Sequence, residues 1–290
     1  MSDKLDFERA GKGFITLGIN THEDRIYHSY GLACSIKASD PDSQVCLVVD
    51  KDKMDIVKKE YHHAFDYIVE LPFGNTAYKD GFHGMNLWQM YHCTPFKDTI
   101  YVDADTILHN IDIDLLWKTM QINGGISIPT QALSFKHIPI FRKYRFEFEE
   151  LYALPQLFNN IIYFERDHPD AEQWFKMADP IMQNWRSVYN YFFKDKKPLT
   201  FNKNILCNLV THCTDLHKQI GVHLNNHYDL HSDSQGVWTD DIPQNWTEML
   251  NYWISGNGKI QIENHVMTSG IIHYNDEKFF TKELLDTYVK

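Results

Sequence analysis

Residues 99–108 read TIYVDADTIL. The first half is apolar, β-branched and aromatic, the composition of a buried strand. It ends by placing two carboxylates, Asp103 and Asp105, around Ala104. Side chains alternate faces along a strand, so the two acids are predicted to project from one side. Like charges that close repel, and a divalent cation held by carboxylate oxygens removes the penalty. The plainer use of Asp105, as a turn or cap acid ahead of a helix near Asp114, stays open on this stretch alone.

Working outward, the first half of the chain alternates strands and helices. GFITLGI is an apolar run that meets a polar loop. RIYHSYGLACSIKAS has helical spacing, with Ile26, Tyr30, Ala33 and Ile36 on one stripe. VCLVVD is a second short strand and FDYIVEL a third, with KMDIVKKEYHH between them predicted as a helix. MNLWQMYHC is predicted helical and leads into the strand of the opening motif. Such an order implies an α/β fold with a parallel sheet and helices on both faces, and ligands at the carboxyl ends of its strands. Both GIN (18–20) and DAD (103–105) fall at those ends. The second half is less regular: GGISIPTQ and FNNIIYFER read as strands, and DAEQWFKMADPIMQNW as a helix. A His- and Asn-rich region follows, then SGIIHYNDEKFF and a short helix, TKELLDTYV. With no repeat or linker in view, residues 1–290 are predicted to form one domain. Its character changes near residue 125, from a regular first half (about 1–125) to a less regular second half (about 126–290).

A chain of 290 residues can bury a large core. The net charge of −11 opposes unspecific binding to nucleic acid or anionic membrane, although local basic patches can override it. The start, MSDKLDFERAGKG, is polar, and no apolar run approaches the roughly 20 residues that span a bilayer. Five scattered cysteines with no CxxC pair fit a reducing compartment. A cytoplasmic location without membrane attachment is therefore expected.

The second chemical signal lies near the C-terminus, where IIHYNDEKFF sets His273 at a strand end and Lys278 five residues on. A lone histidine among sixteen is ordinary. Beside a carboxylate pair, however, a neutral imidazole adds a nitrogen ligand that favours Mn²⁺ over Mg²⁺, and a lysine can neutralise a metal-held phosphate.

Together these segments resemble a glycosyltransferase of the GT-A fold, closest to family 8, the group of glycogenin and bacterial lipopolysaccharide galactosyltransferases. The resemblance follows the family's order over most of the chain. TLGINTHEDRIYHSYGLACSIKAS stands for the first strand and nucleotide loop, and IYVDADTIL for the DxD strand. FNNII stands where the family has a Phe-Asn-small-Gly motif, FNKNILCN at an Asp-Gln motif, and HYNDEKFF at His-x-x-Gly-x-x-Lys-Pro-Trp. It implies a Rossmann-like, mixed but mostly parallel central sheet flanked by helices. It further implies that Asp103, Asp105 and His273 hold Mn²⁺ or Mg²⁺ and that Lys278 contacts the diphosphate of a UDP-sugar. Gly18, Ile19, Asn20 and Thr21 would border the nucleotide, and Tyr27 would stack on its base or serve as an ordinary core residue. Asn159 and Asn160 would face the sugar or acceptor. The implied reaction is sugar transfer to a hydroxyl with retention.

Departures from the family cluster around the sugar. SIPTQA carries Thr130 and Gln131 where an aspartate is usual, the Asp-Gln pair is Asn202-Lys203, and the glycine of the fourth motif is Ile161. Asn86 stands at a customary basic position, unless Lys79 or His83 replaces it. A rebuilt sugar pocket makes a pentose such as arabinose a candidate donor beside the hexoses. For the acceptor, residues 134–148 (SFKHIPIFRKYRFEF) interleave Lys136, His137, Arg142, Lys143 and Arg145 with aromatics, as grooves for nucleic acid do, although a solvated surface helix would look alike. A second run, FFKDKKPLTFNK, has the same flavour around Lys194, Lys196, Lys197 and Lys203. The chain is also similar to glycosyltransferases of tailed phages that decorate hydroxymethylated cytosine. That implies 5-hydroxymethylcytosine in double-stranded DNA as acceptor, flipped from the duplex. Saccharide or lipopolysaccharide acceptors and a non-catalytic nucleotide-sugar-binding protein are the alternatives. A nucleotidyltransferase is disfavoured because GINTHEDR is no Gly-rich basic phosphate loop.

Overall fold

The computed structural model describes residues 11–19, 24–50, 54–75, 83–141, 154–192, 203–230, 246–255 and 258–289. In chain order the first half contains β1 (Lys12–Leu17), α1 (Arg25–Ser39), β2 (Val45–Val49), β3 (Tyr67–Glu70), α2 (Met90–Cys93), β4 (Asp98–Val102), β5 (Thr106–His109) and α3 (Ile113–Met120). Next come β6 (Ile126–Pro129), β7 (Ile161–Glu165), α4 (Pro169–Gln183), α5 (Trp185–Phe192), α6 (Lys203–Cys213), β8 (Gly221–Val222) and β9 (His227–Asp229). The chain closes with β10 (Tyr252–Ile254), β11 (Ile260–Ile262), β12 (His265–Met267), β13 (Gly270–His273) and α7 (Lys282–Asp286).

Seven strands form the central sheet in the order β3-β2-β1-β4-β7-β6-β8. The run from β3 to β4 is parallel, β7 is antiparallel to both neighbours, and β6 and β8 are parallel. Alternate residues of each strand feed two separate cores. Phe14, Val45, Leu47, Ile100 and Val102 pack with α1 and α3 on one face. Ile15, Cys46, Val48 and Tyr101 pack with α4 and α6 on the other. A sheet buried on both faces is why these strands read as continuous apolar runs rather than alternating ones. The result is the mixed, mostly parallel α/β sheet flanked by helices expected of a GT-A domain.

Three local expectations are corrected. The segment predicted as a helix after β2 forms two 3₁₀ turns, Met54–Ile56 and Lys59–Ala64. In the second of these Tyr61 and Ala64 are buried, a spacing of three that suits a 3₁₀ turn as well as an α-helix. The stretch MNLWQMYHC likewise begins in a 3₁₀ helix, His83–Gln89, before the single turn of α2. In the opening motif the strand stops at Val102. Residues 103–105 turn the chain out of the central sheet, and Thr106–His109 begins a second sheet in the order β5-β13-β9. The helix beyond is capped by Asp112, whose side chain accepts from Leu115 N at 2.9 Å, so Asp105 is not its cap.

That second sheet explains why α1 is buried far beyond its predicted stripe, with Ile26 and every residue from His28 to Ile36 covered. Ser35 Oγ accepts from Leu108 N at 3.0 Å, and His28 Nδ1 lies 2.6 Å from the Tyr274 hydroxyl. Phe280 lies against Gly31 so closely that a Cβ there would sit 1.9 Å from Phe280 Cζ. Gly31 is therefore required by its neighbour. Gly31→Ala is expected to cost about 1–3 kcal/mol through overpacking, and Phe280→Leu in the same chain should recover part of it, both read as shifts in the urea midpoint.

Candidate active site at the carboxyl edge of the sheet

The strand pairing brings remote segments to one edge. β1 and β4 are parallel neighbours, so Gly18 and Ile19, just past β1, leave the sheet on the same side as Asp103. β7 is antiparallel to β4, and Asp103 N donates to Asn160 O at 2.8 Å, which fixes Asn159 and Asn160 beside the acids. β13 runs antiparallel to β5 and pairs His273 with Thr106, while Tyr274 N donates to Asp105 O at 3.0 Å.

Asp103, Asp105 and His273 each turn one ligand atom to a common point, the three atoms lying within 4.8 Å of one another. Two carboxylate oxygens and one imidazole nitrogen suit a small divalent cation of the Mg²⁺–Mn²⁺ class. The two acids converge because residues 103–105 turn, not because they share a strand face.

Each acid is held by further groups. Arg25, the first residue of α1, places Nη1 2.8 Å from Asp105 Oδ2, and His273 Nε2 lies 3.3 Å from Oδ1. Burial alone would push the Asp105 carboxyl up, but Arg25 and His273 outweigh it and hold the group well below the usual carboxylate range. The other face of His273 meets Asp229, with Nδ1 3.4 Å from Oδ1 across the β9–β13 register. Burial would lower the imidazole, yet Asp105 and Asp229 push it up to about 10. Asp229 stands where a carboxylate orients a metal-bound imidazole through its second nitrogen. Asp103 accepts from the Tyr101 hydroxyl, and Lys203, which opens α6, donates to both of its carboxylate oxygens. Burial first, and the neighbouring Asp103 second, keep the Tyr101 phenol protonated.

The remaining predicted residues are distributed as follows. Gly18 is fixed by its N–H donating to Val48 O at 2.8 Å, and a Cβ on it would meet Leu47 Cδ1 at 2.7 Å. Ile19 is buried, while Asn20 and Thr21 lie outside the described residues. Tyr27 is half-buried against Tyr61 and Phe280, a core-like setting. Asn160 Oδ1 lies 3.0 Å from His227 Nε2, and its Nδ2 is buried with no hydrogen-bond partner among the described residues. Asn159 N lies 3.4 Å from the Asn204 side-chain oxygen. Lys278 pairs with Glu248 at the exposed edge of the 3₁₀ turn Glu277–Phe279. Asn86 is fully buried and hydrogen-bonded to Asn75 and Gln89, a structural role; Lys79 and Asn202 lie outside the described residues. Arg25, Asp229 and Tyr101 are site residues that the sequence did not announce. A hollow of about 410 Å³ at the amino ends of the strands, bordered by Lys12, Asp114 and Trp117, includes none of these groups.

No family model matches the chain, and no curated protein does. Solved structures with a similar course of chain include mouse xyloside xylosyltransferase 1 in its apo form. It has a TM-score of 0.43 and 10% identity over 74% of this chain and 86% of that one. The glycosyltransferase GlyE of Streptococcus pneumoniae gives 0.41 and 10% over 74% of this chain and 46% of that one. The galactosyltransferase LgtC, solved with donor and acceptor sugar analogues, gives 0.41 and 10% over 70% of each chain. Likeness at this level assigns no activity, so any assignment rests on the site. No helix among the described residues is long and apolar enough to cross a membrane.

A ligand imidazole must be neutral, whereas Asp105 and Asp229 favour the protonated form of His273. Cation binding must therefore expel that proton. Mn²⁺ affinity is expected to rise about tenfold per pH unit between about pH 6 and 8, with the His273→Gln variant weaker and nearly flat, measured by calorimetry. A pH-independent affinity in the parent protein would remove His273 from the ligand set.

Proposed function

We propose that the chain is a metal-dependent glycosyltransferase that moves a sugar from a UDP-sugar to a hydroxyl acceptor. The convergence of Asp103, Asp105 and His273, from segments some 170 residues apart, is the observation that carries this reading. A divalent cation held there, Mn²⁺ by preference, supplies Lewis-acid neutralisation of the departing diphosphate. Arg25 holds Asp105 ionised and fixed, so its oxygen needs no reorganisation when charge develops. Gly18 and Ile19, just past β1, border the nucleotide. Asn160 offers its unpaired amide nitrogen to a hydroxyl of the sugar or acceptor, with Asn159 beside it. The bond from the anomeric carbon to the phosphate oxygen breaks, and a bond to the acceptor oxygen forms on the same face with retention. The acceptor's proton passes to the departing phosphate. Lys278 reaches the diphosphate only after leaving Glu248.

With Mn²⁺ present, UDP release from a panel of UDP-hexoses and UDP-pentoses, arabinose included, identifies the donor. Asp105→Ala is expected to lower the rate at least about 100-fold. Tight UDP-sugar binding with no turnover on any donor would instead favour a non-catalytic binding protein.

The acceptor we favour is 5-hydroxymethylcytosine in duplex DNA. Its support is the segment that begins at Ser134. Lys136 lies over the Phe135 ring, and Ile138 and Phe141 are exposed at 45% and 64%, an apolar and cationic surface open to stacking. Arg142, Lys143 and Arg145, like Lys194, Lys196 and Lys197, lie outside the described residues. Residues 134–141 form a turn with His137 at positive φ rather than a surface helix. Duplex binding should weaken steeply with salt and fall in a Lys136→Glu variant, measured by fluorescence anisotropy. Absence of binding at low salt would leave a saccharide or lipopolysaccharide acceptor as the reading.

A further inference from the structure

Lys203 grips both carboxylate oxygens of Asp103, one of them at 2.7 Å. The pair is largely withdrawn from water, with side-chain exposures of 13% for Lys203 and 17% for Asp103. Its aliphatic stem is housed as carefully as its charge. A Cβ on Gly84 would lie 3.1 Å from Lys203 Cδ and 3.7 Å from Cβ and Cγ, so the glycine leaves room for the stem. The ammonium also sits 5.2 Å over the Tyr101 ring, and the Tyr101 hydroxyl shares Asp103 with it. A tethered cation is thus built into one of the three groups that would ligate a metal.

We infer that Lys203 is a positioning residue that competes with the divalent cation for Asp103 and makes cation and nucleoside diphosphate bind cooperatively. This rests on the metal-dependent reading above. A monovalent ammonium and a divalent ion on one carboxylate repel each other strongly where water is largely excluded. A cation arriving alone must displace the ammonium from its partner and leave it unpaired. A cation arriving with a diphosphate brings the displaced ammonium a new anion. Each ligand therefore raises the affinity for the other, and the coupling runs through Lys203.

The experiment titrates MnCl₂ into the full chain with and without UDP, following free Mn²⁺ by electron paramagnetic resonance. The proteins are the parent, K203M, K203Q and D103N. Methionine keeps the stem for the space over Gly84 and removes the charge, and K203Q serves as the second neutral variant should K203M fold poorly. The expected result is that K203M binds Mn²⁺ alone on the order of tenfold tighter than the parent, while the gain conferred by UDP shrinks by a similar factor. A merely structural lysine would give the opposite sign, since loosening Asp103 weakens the site. Mn²⁺ affinity that is equal or weaker in both neutral variants, with D103N weaker still, overturns the role of Lys203 and leaves the metal site standing. No Mn²⁺ binding by the parent or any variant, with or without UDP, overturns both.

Discussion

A carboxylate at the bottom of this site, Asp105, is buried and must be compensated. Taking an ion out of water costs several kcal/mol even after relaxation. Here the compensation comes from two places remote in sequence. Arg25 reaches from the start of α1, and His273 from the end of β13, braced in turn by Asp229 on β9. Each contact dictates part of the architecture. Arg25 can reach Asp105 only because Asp24 caps α1, accepting from Tyr27 N at 3.0 Å, and so begins the helix at that point. His273 can reach it only because β13 pairs with β5, the strand that the 103–105 turn launches. The second sheet, the buried α1 and the Gly31–Phe280 contact thus serve one electrostatic requirement.

The central sheet was legible because its strands are buried on both faces and therefore apolar throughout, a pattern that survives without tertiary information. β1, β2, β3 and β4 overlap the segments read as strands. β5 was not seen, although TILH is apolar, because nothing local distinguishes a strand that continues a sheet from one that leaves it. Nor could residues 59–64 reveal a 3₁₀ turn, since burial at Tyr61 and Ala64 satisfies both helical periods. The small sheet β10-β11-β12 was missed for another reason. Its strands are three residues each, too short for a period to register.

The site divides the same way. Asp103, Asp105 and His273 were legible as chemistry: acids around an alanine at a strand end, and a histidine at another strand end. The residues that tune them were not. Arg25 follows a helix cap and looks like any solvated first-turn residue. Asp229 sits in HYDL, where its partner is set by register with a strand more than forty residues away. Lys203 read as one member of a basic run, whereas its contacts belong to the acids. Side chains that act through other side chains leave no motif, because their spacing is set in three dimensions.

The charges that touch one another here are balanced. Asp103, Asp105 and Asp229 face Lys203, Arg25 and a protonated His273, so the metal-free cluster is close to neutral. Balance of that kind resists a lone divalent cation, which adds positive charge beside Lys203 and Arg25. It resists a lone diphosphate equally, because the cations there already have partners. Cation and diphosphate arriving together disturb the balance least, since each supplies the counter-charge that the other displaces. On the cooperative role proposed for Lys203, such a cluster is better matched to a metal–nucleotide complex than to a metal alone, and its ion pairs are the interactions through which the two would be coupled.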